Sequence, residues 1–551
     1  MEENTNLKYT QDYNCSLYQY YRRATENFTD RTAISFYFVR YTYGQLNEQI
    51  DRFASALAAL GIKKGDTVVC TLPSIPEAVF IMYAVNRIGA IYAGVDCRLK
   101  ADDIDEIMKK LKPAICFVAD FQMKAFINQK DIPIVSIRAT NSMGTPMAIM
   151  GFFANCFTGR IFVKMRRPNI CSYKAFIKKA TDTVPEIVPS DGSDVCAYFH
   201  TSGTTYGRKC VMLSNANINF STRQTLNGHS GLCEDIDGDT FLGIMPPFTC
   251  YGYTQGIHTP LTVGAHARLI PLLQKDVAGL LMREKPNHIV TVPSHWEGFA
   301  STKEENMDLS FLKTVLVGGD KIDPAYGTKV NEIFKRSGST AELLAGYGLT
   351  ETASAGAFPY PGMPFGLVGK PLPSIDFKIV DPETGKTLPD GEPGEVCISG
   401  PSVCLGYLND QAATDALLKR DENGKIWLHS GDIGYFEPNG ALRYCQRIKR
   451  MFVRYDGTKV SPYEIEQHLL ACPAVKQCLI TSVKDPEHSH GSLPKAYIVP
   501  ADGLSEQQAT STINNFVKKS VAQHMQPAQI EIVKKLPYTK YGKIDYFKPE
   551  T

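Results

Sequence analysis

The first hundred residues alternate between amphipathic stretches and short, fully apolar runs. Apolar side chains recur at helical spacing ahead of a glycine stop signal: Leu46, Ile50, Phe53, Leu57 and Leu60, then Gly61. The runs at 67–71 and 90–95 are typical of buried strands, and a helix opens between them near Pro76 and Glu77. This alternation of helix and strand predicts a doubly wound α/β layer.

A loop of small polar residues follows a later apolar run. Val195, Ala197 and Phe199 alternate as in a buried strand. Hydroxyl and glycine residues come next: Thr201, Ser202, Gly203, Thr204, Thr205 and Gly207. Free backbone amides in such a turn, reinforced by hydroxyls and the Lys209 charge, can bind a polyphosphate, although an ordinary surface turn has the same composition. The loop is not of the Walker type, because Cys210 stands where a hydroxyl residue should follow the lysine.

Composition narrows the class of protein. The 551 residues suffice for two or three domains, and the net charge of +2 favours neither a nucleic acid nor a membrane surface as partner. The 15 cysteines include no C-x-x-C pair, and the polar N-terminus lacks the design of a signal peptide, so we expect free thiols and a cytoplasmic protein. The apolar stretch 147–157 is shorter than the roughly 20 residues of a membrane span, so we expect no transmembrane segment. It is predicted to be core or pocket wall, with an interfacial role as the alternative.

The loop resembles the phosphate loop of the adenylate-forming superfamily, which includes acyl-CoA synthetases, peptide-synthetase adenylation domains and luciferases. The stretch 201–205, Lys209 and Val211 match its TSGTTG-x-PKGV pattern in register. Three positions depart from the pattern: Tyr206 for glycine, Arg208 for proline and Cys210 for glycine. Tyrosine adopts positive φ less readily than glycine, which affects loop closure more than ATP binding.

Further motifs occur in the order that this family has them. The stretch 346–352, GYGLTET, resembles its adenine and magnesium segment, and 427–434, WLHSGDIG, its ribose segment. The resemblance implies that ATP is bound by the loop residues Thr201, Ser202, Gly203, Thr204, Thr205 and Lys209, and by Gly346, Tyr347, Gly348, Asp432 and Arg447. Thr350 is expected to contact phosphate and Glu351 to hold Mg²⁺, a hard cation that prefers carboxylate and phosphate oxygens. Asp432 is expected in a tight turn, with a carboxylate that accepts from the ribose hydroxyls.

The C-terminal part carries the remaining implied roles. Lys449 matches the hinge after which the family's small mobile domain begins, and LPYTKYGKID at 536–545 matches its closing P-x-T-x-x-G-K pattern. Lys543 is therefore the expected catalytic lysine, whose positive charge stabilises the negatively charged carboxylate and α-phosphate as they react. Arg454, Gly457 and Lys459 are candidate contacts of coenzyme A, and the alternative is that Arg450, Arg454 and Lys459 form a solvated basic face. One residue more than the family pattern lies between Arg447 and Gly457.

The acyl pocket is predicted from three segments that match the family. Its candidate residues are Phe248, Tyr251, His295, Trp296, Gly318 and Gly319. The residues 248–250 offer no charge, and an unpaired ammonium in a closed pocket costs several kcal/mol, so an α-amino acid is disfavoured as substrate. For His295 and Trp296, packing in the core is an equal alternative.

The expected architecture is α/β, with layered subdomains and a β-subdomain at 1–448 and a mobile α+β domain at 449–551. The resemblance implies activation of a carboxylic acid by Mg-ATP to acyl-AMP, with release of pyrophosphate, followed by transfer to coenzyme A. One alternative is the loading of a phosphopantetheinyl carrier protein. Another is a nucleotide-binding regulator that has lost catalysis, suggested by Tyr206, Arg208 and Cys210. The acid, its chain length and the oligomeric state stay open.

Overall fold

The secondary structure follows the predicted alternation through most of the chain. The computed structural model describes residues 9–142, 167–201, 208–228, 236, 238–271, 276–296, 298–301, 307–456, 458–488, 491–537, 544 and 546. The strands are β1 Thr32–Phe36, β2 Val39–Thr42, β3 Thr67–Thr71, β4 Ile91–Gly94, β5 Ile115–Ala119, β6 Ile134–Ile137, β7 Ile170–Ser172, β8 Val195–His200, β9 Cys210–Ser214, β10 Thr240–Gly243, β11 His266–Leu269, β12 His288–Thr291, β13 Thr314–Val317, β14 Leu343–Ala345, β15 Ala357–Phe358, β16 Lys370–Pro371, β17 Asp376–Val380, β18 Gly394–Ser399, β19 Gly406–Tyr407, β20 Leu418–Arg420, β21 Ile426–Phe436, β22 Leu442–Arg447, β23 Phe452–Val453, β24 Lys459–Val460, β25 Val475–Lys484, β26 Ser492–Pro500 and β27 Gln529–Ile532.

Helices separate many of these strands. They are α1 Leu17–Thr25, α2 Tyr43–Ala59, α3 Pro76–Arg87, α4 Ala101–Leu111, α5 Tyr173–Ile177, α6 Asn215–Asn227, α7 Cys250–Tyr253, α8 Thr259–Leu261, α9 Val277–Glu284, α10 Pro324–Arg336, α11 Gln411–Leu417, α12 Pro462–Leu470 and α13 Glu506–Ser520. A π-helical turn, Thr254–His258, joins α7 to α8. Short 3₁₀ turns lie at Asp120–Phe126, Ala139–Ser142, Pro293–His295, Phe299–Ser301, Thr350–Thr352, Ile448–Arg450 and Gln523–Met525.

The described chain groups into two compact units. The first comprises Met1–Phe377, Ile398–His429 and Gly440–Leu442, and the second Lys378–Cys397, Ser430–Asn439 and Arg443–Thr551. The second unit therefore takes in residues 378–397 of the predicted β-subdomain, which was expected at 371–407, and residues 430–439, in addition to the C-terminal part. The functional boundary at 448/449 stays a prediction.

An eight-stranded sheet in the first unit has the order β19-β9-β8-β4-β3-β5-β6-β7. Its strands β4, β3, β5, β6 and β7 run parallel, and β8 joins β4 in parallel. The helix α3 connects β3 to β4 and is buried along almost its whole length. Because parallel strands place their carboxyl ends at one edge, the loop that follows β8 lies where doubly wound sheets bind ligands.

A second sheet of the first unit has the order β14-β13-β12-β10-β11-β1-β2. Its strands from β14 to β1 are parallel, and β2 closes the edge as an antiparallel hairpin partner of β1. The carboxyl ends of β10, β12, β13 and β14 lie along one edge of the sheet. The segments predicted to bind the acid and the adenine follow these four ends, so the fold brings them together.

The second unit contains a smaller sheet, β25-β26-β27, packed with α12 and α13. Residues Leu536 and Ile544, which flank the stretch 538–543, pack in one apolar cluster with Leu479 and Tyr497. The α/β class of the larger part and the α+β character of the smaller are thus as predicted. Among the described residues, no helix combines the length and the apolar character needed to cross a bilayer.

Candidate functional site

The two ends of the phosphate loop are held by a β-ladder. In the antiparallel pair β8–β9, Phe199 lies opposite Val211 and His200 opposite Cys210. The amide of Thr201 donates to the carbonyl of Lys209 over 3.0 Å, which extends the ladder by one step. The middle of the loop, Ser202, Gly203, Thr204, Thr205 and Tyr206, lies outside the described residues. The described ends therefore place a hydroxyl and an ammonium at the mouth of the loop.

Two residues beside the loop were not assigned a role from the sequence. The Arg208 guanidinium lies 3.3 Å from the Asp103 carboxylate on α4. His200, at the end of β8, is half-buried, and desolvation of its imidazole lowers the pKa of the ring to about 4, so it is neutral near pH 7. Only the position of His200, the last residue of the strand before the loop, could have drawn attention to it.

The GYGLTET segment begins directly beyond β14. The amide of Gly346 donates to Val317 on the neighbouring strand, and Tyr347 and Ala357 exchange both backbone hydrogen bonds. A Cβ on Gly348 would lie 2.5 Å from the Ser354 carbonyl oxygen, so the chain can turn here only with glycine. The turn presents Thr350 and Glu351 half-buried in a 3₁₀ turn. Tyr347 is only 7 % exposed, and its stacking on adenine stays a prediction.

Lys209 and Glu351 meet on the side chain of Tyr407. The Lys209 ammonium lies 4.6 Å from the centroid of the Tyr407 ring, and the Tyr407 hydroxyl lies 2.7 Å from Oε1 of Glu351. The strand β19, which carries Tyr407, pairs with β9, and Lys209 directly precedes β9. Tyr407 and Lys209 are therefore both positioned by the eight-stranded sheet. Two motifs far apart in the sequence are thereby joined in one cluster of a cation, a phenol and a carboxylate.

The predicted ribose residues lie together in the second unit. The Arg447 Nε lies 3.0 Å from Oδ1 of Asp432, and its Nη1 donates to the Ser430 carbonyl. Asp432 is 1 % exposed and belongs to β21, so the expected tight turn is wrong. Gly431, with φ of +69°, supplies the local bend that the sequence suggested, while the strand continues through it.

The basic residues after β22 differ in their surroundings. Lys449 lies in the 3₁₀ turn 448–450 between β22 and β23, and its role as a hinge stays a prediction. Arg450 is buried, forms an ion pair with Glu466 and lies 4.0 Å from the Tyr546 ring, which excludes it from a solvated face. Lys459 forms a surface ion pair with Glu383. Arg454 is part of the described chain and Gly457 is not, and their role toward coenzyme A stays a prediction.

The pocket candidates follow β10, β12 and β13. The Tyr251 hydroxyl lies 3.4 Å from the Leu316 carbonyl, and a Cβ on Gly318 would lie 3.2 Å from the Tyr251 ring, so these two residues are neighbours. Gly319 has φ of +87°. Phe248 is buried ahead of α7, and its carbonyl closely approaches Gly94 at the end of β4.

The two remaining candidates are packed in the interior. The Thr291 hydroxyl lies 2.7 Å from Nδ1 of His295, at hydrogen-bond distance. Burial lowers the pKa of the His295 imidazole to about 4. Trp296 is 0 % exposed and packs edge-on against Phe299 and Phe334 in the core of the second sheet. The structure thus places Trp296 with the core residues of the second sheet. Its predicted contact with the acid is untested.

Metal-ligand chemistry is available at Glu351. Its Oε1 accepts from Tyr407, and its carboxylate together with the Thr350 hydroxyl provides hard oxygen donors of the kind that Mg²⁺ prefers. These residues fit a magnesium ion. The predicted catalytic Lys543 lies outside the described residues, in the short stretch bounded by Leu536 and Ile544.

Two family models match the chain. The model described as AMP-binding enzyme covers residues 21–408, and the model described as AMP-binding enzyme C-terminal domain covers residues 464–543. Among curated relatives, 4-coumarate–CoA ligase of Vanilla planifolia is 29 % identical over 524 residues, covering 92 % of this chain and 87 % of its own. Long-chain-fatty-acid–CoA ligase of Bacillus subtilis (strain 168) is 27 % identical over 527 residues, covering 94 % and 91 %.

Solved structures share the fold. The anthranilate CoA ligase AuaEII in complex with anthranoyl-AMP superposes with a TM-score of 0.78 at 21 % identity, covering 98 % of this chain and 96 % of its own. A benzoate CoA ligase from Burkholderia xenovorans LB400 gives 0.78 at 20 % identity, covering 97 % and 99 %. At this identity the likeness concerns the fold alone.

Proposed function

Because the chain belongs to the AMP-binding enzyme family, whose models match most of its length, we propose that it is an acyl-CoA ligase that forms AMP. In the first step a carboxylate oxygen attacks the α-phosphorus of ATP, the bond to the β-phosphate oxygen breaks, and pyrophosphate leaves. In the second step the thiol sulphur of coenzyme A attacks the acyl carbonyl of acyl-AMP. The thiol proton goes to solvent, and AMP leaves.

The observation that carries this proposal is the convergence of Lys209 and Glu351 on Tyr407. A cation at the mouth of a phosphate loop and a carboxylate beside a threonine hydroxyl form a site for a polyphosphate with its metal. Mg²⁺ held by Glu351 and the ATP phosphates would offset the negative charge of the leaving pyrophosphate. Lys209 binds and orients these phosphates, and Thr350 supplies a further hydrogen bond to them.

The remaining roles follow from the same scheme. Lys543 is assigned the charge that stabilises the reacting carboxylate and α-phosphate, since both are anionic. Asp432 and Arg447, already paired, are assigned to the ribose of ATP. Lys449 is assigned as the hinge of the C-terminal domain, whose movement would open the way for the thiol. The cytoplasm is the proposed compartment, because the described cysteines are all free, as in a reducing environment.

The substrate proposed is an acid with an uncharged acyl or aryl group. Tyr251, Gly318 and Phe248 line the edge of the second sheet without offering a charged group to the acid. The named relatives act on aromatic and long-chain acids, which is consistent with this class. An α-amino acid would bring an ammonium without a partner at these residues.

The test is acid-dependent exchange of pyrophosphate into ATP, screened over short, medium, long-chain and aromatic acids. The proposal predicts exchange with at least one class of acid and none without acid. A second arm supplies free coenzyme A or a phosphopantetheinylated carrier protein to the adenylating enzyme. Thioester formation on free coenzyme A is expected, and acylation of the carrier alone would replace the proposed acceptor.

A further inference from the structure

The segment 404–407 holds Glu351 at two points. The amide of Cys404 donates to the Glu351 carbonyl over 2.8 Å, and the Tyr407 hydroxyl lies 2.7 Å from its carboxylate. Glu351 is thus fixed in both backbone and side chain by the same short stretch.

The position of Tyr407 is itself strongly determined. Its amide donates to the Thr414 hydroxyl over 2.9 Å, and its ring is buried. Gly406 before it has φ of +115°, and a Cβ there would lie 2.5 Å from Cγ2 of Thr414. The flanking residues Leu405 and Leu408 donate to carbonyls of Met212 and Cys210 on β9. A conformation fixed by this many contacts is suited to precise placement of other groups.

The Tyr407 ring also faces the Lys209 ammonium, with 4.6 Å between nitrogen and ring centroid. A cation over an aromatic face is attracted to it while keeping its charge for a ligand. A carboxylate in that place would form an ion pair with Lys209 and offset the positive charge that the lysine offers to a phosphate. The ring therefore holds Lys209 near Glu351 and leaves both charges available.

We propose that Tyr407 is a positioning residue that sets the phosphate-binding lysine and the metal-binding carboxylate in register. Its hydroxyl orients one oxygen of Glu351 so that the other is presented to the metal, and its ring orients Lys209. This inference rests on the proposed function for its chemistry and extends it to a residue outside the nucleotide-binding motifs.

Two variants distinguish the role of the Tyr407 hydroxyl from the role of its ring. Tyr407→Phe keeps the ring and removes the hydroxyl, and Tyr407→Leu removes both. A hydrogen bond to a charged group has a strength that corresponds to about a tenfold effect or more. Tyr407→Phe is expected to raise the magnesium concentration for half-maximal adenylation about tenfold, with little change in the KM for ATP at saturating magnesium. Tyr407→Leu is expected to raise both the magnesium concentration for half-maximal adenylation and the KM for ATP.

Nucleotide binding gives a readout that does not need turnover. Calorimetric titration of the purified protein with ATP, in magnesium and in EDTA, measures how much the metal contributes to affinity. This contribution should shrink in Tyr407→Phe, while the affinity in EDTA changes little. In Tyr407→Leu the affinity in EDTA should fall as well. Tyr360→Phe and Tyr360→Leu, which alter another lysine and tyrosine contact of the same unit, serve as controls.

The outcomes are distinct. Unchanged magnesium and ATP dependence in both Tyr407 variants would overturn the proposal. A uniform loss of affinity with a lowered unfolding temperature in both variants would also overturn it, in favour of a purely structural tyrosine. If the wild type binds Mg-ATP but shows no acid-dependent exchange, the proposed function fails, and the calorimetric comparison still decides the role of Tyr407.

Discussion

The guanidinium of Arg208 lies 3.3 Å from the carboxylate of Asp103, where the family pattern has a proline. A proline would restrain the backbone at the end of the phosphate loop through its ring. In this chain an ion pair to α4 provides a different restraint at the same point. The position that departs from the pattern therefore carries a contact that the sequence alone did not reveal.

We expect Arg208→Gln and Asp103→Asn each to raise the KM for ATP, and the double variant to raise it no further. Partly exposed ion pairs contribute about 0.2–1 kcal/mol, so the change should be at most about fivefold. It should diminish in salt on the order of 0.5 M, because the pair is screened there. The measurement is a double-mutant cycle on ATP affinity at low and high salt.

Asp102→Asn, on the same turn of α4, is the matched control and should leave the KM for ATP unchanged. Additive effects of Arg208→Gln and Asp103→Asn in the double variant would show that the two residues act independently.

Glu351→Gln should raise the magnesium requirement of adenylation, because a neutral amide is a poorer ligand for a hard cation. The amide can still accept from the Tyr407 hydroxyl, so the local structure should survive. Magnesium titrations of pyrophosphate exchange measure the shift. Glu342→Gln, which alters the carboxylate bonded to the Gly362 amide, is the control. Identical magnesium dependence in Glu351→Gln and wild type would remove Glu351 from the metal site.

We expect Glu77 to make the stability of the first unit depend on pH. It is fully buried at the start of α3, and burial raises the pKa of its carboxyl to about 7, although the Ser142 hydroxyl donates to it. The unfolded chain releases this proton near pH 4.5 and the folded chain near pH 7. The protonated carboxyl therefore stabilises the folded state fully below pH 4.5. Stability is lost as the pH rises from 4.5 to 7, by about 3 kcal/mol for a shift of this size.

Glu77→Gln, which keeps the acceptor for Ser142 without a titrating group, should therefore raise the unfolding temperature at pH 8 and change it little at pH 5. Thermal unfolding at the two pH values measures this, with Glu106→Gln on the exposed face of α4 as the control. An equal difference between Glu77→Gln and wild type at both pH values would contradict the assignment.

The acyl pocket should accept acids longer than acetate, since each buried methylene contributes about 0.8 kcal/mol until the wall is reached. In a series of straight-chain acids, kcat/KM should rise with chain length and stop rising once the acyl chain reaches the pocket wall. Gly318→Ala presses a methyl group to 3.2 Å from the Tyr251 ring, so it should shift the optimum to shorter acids. Gly338→Ala is a control in which the added methyl meets nothing closer than 3.9 Å, although its φ of +79° makes it a test of backbone strain as well. Acetate or an α-amino acid as the best substrate would refute the pocket.

Local patterns predicted those parts of the fold that depend on neighbouring residues. The helical spacing up to Gly61 corresponds to α2, and the apolar runs correspond to β3, β4 and β8. The family membership predicted from the phosphate loop and GYGLTET is confirmed by the matching family models. These signals are periodicities and short motifs, which survive in a single sequence.

Long-range pairs could not be predicted in this way. Tyr407 and Glu351 are 56 residues apart, and Arg450 and Glu466 are brought together by the second unit. The same limit leaves pocket and core as equal alternatives for Trp296 in the sequence, and only the structure shows that Phe334 of α10 packs against it. For Asp432, the glycine before it indicated a turn, whereas the pairing of β21 overrides that local preference.

The most direct test of the proposed chemistry compares the two half-reactions in Lys543→Ala. Adenylation is measured as acid-dependent pyrophosphate exchange, and thioester formation is measured from supplied acyl-AMP and coenzyme A. Lys540→Ala, in the same short stretch, is the matched control and should retain both. The account predicts that Lys543→Ala loses about 10²- to 10³-fold in adenylation, because one charge-stabilising group is removed, while thioester formation is nearly unchanged. Equal losses in both half-reactions, or wild-type adenylation in Lys543→Ala, would contradict it.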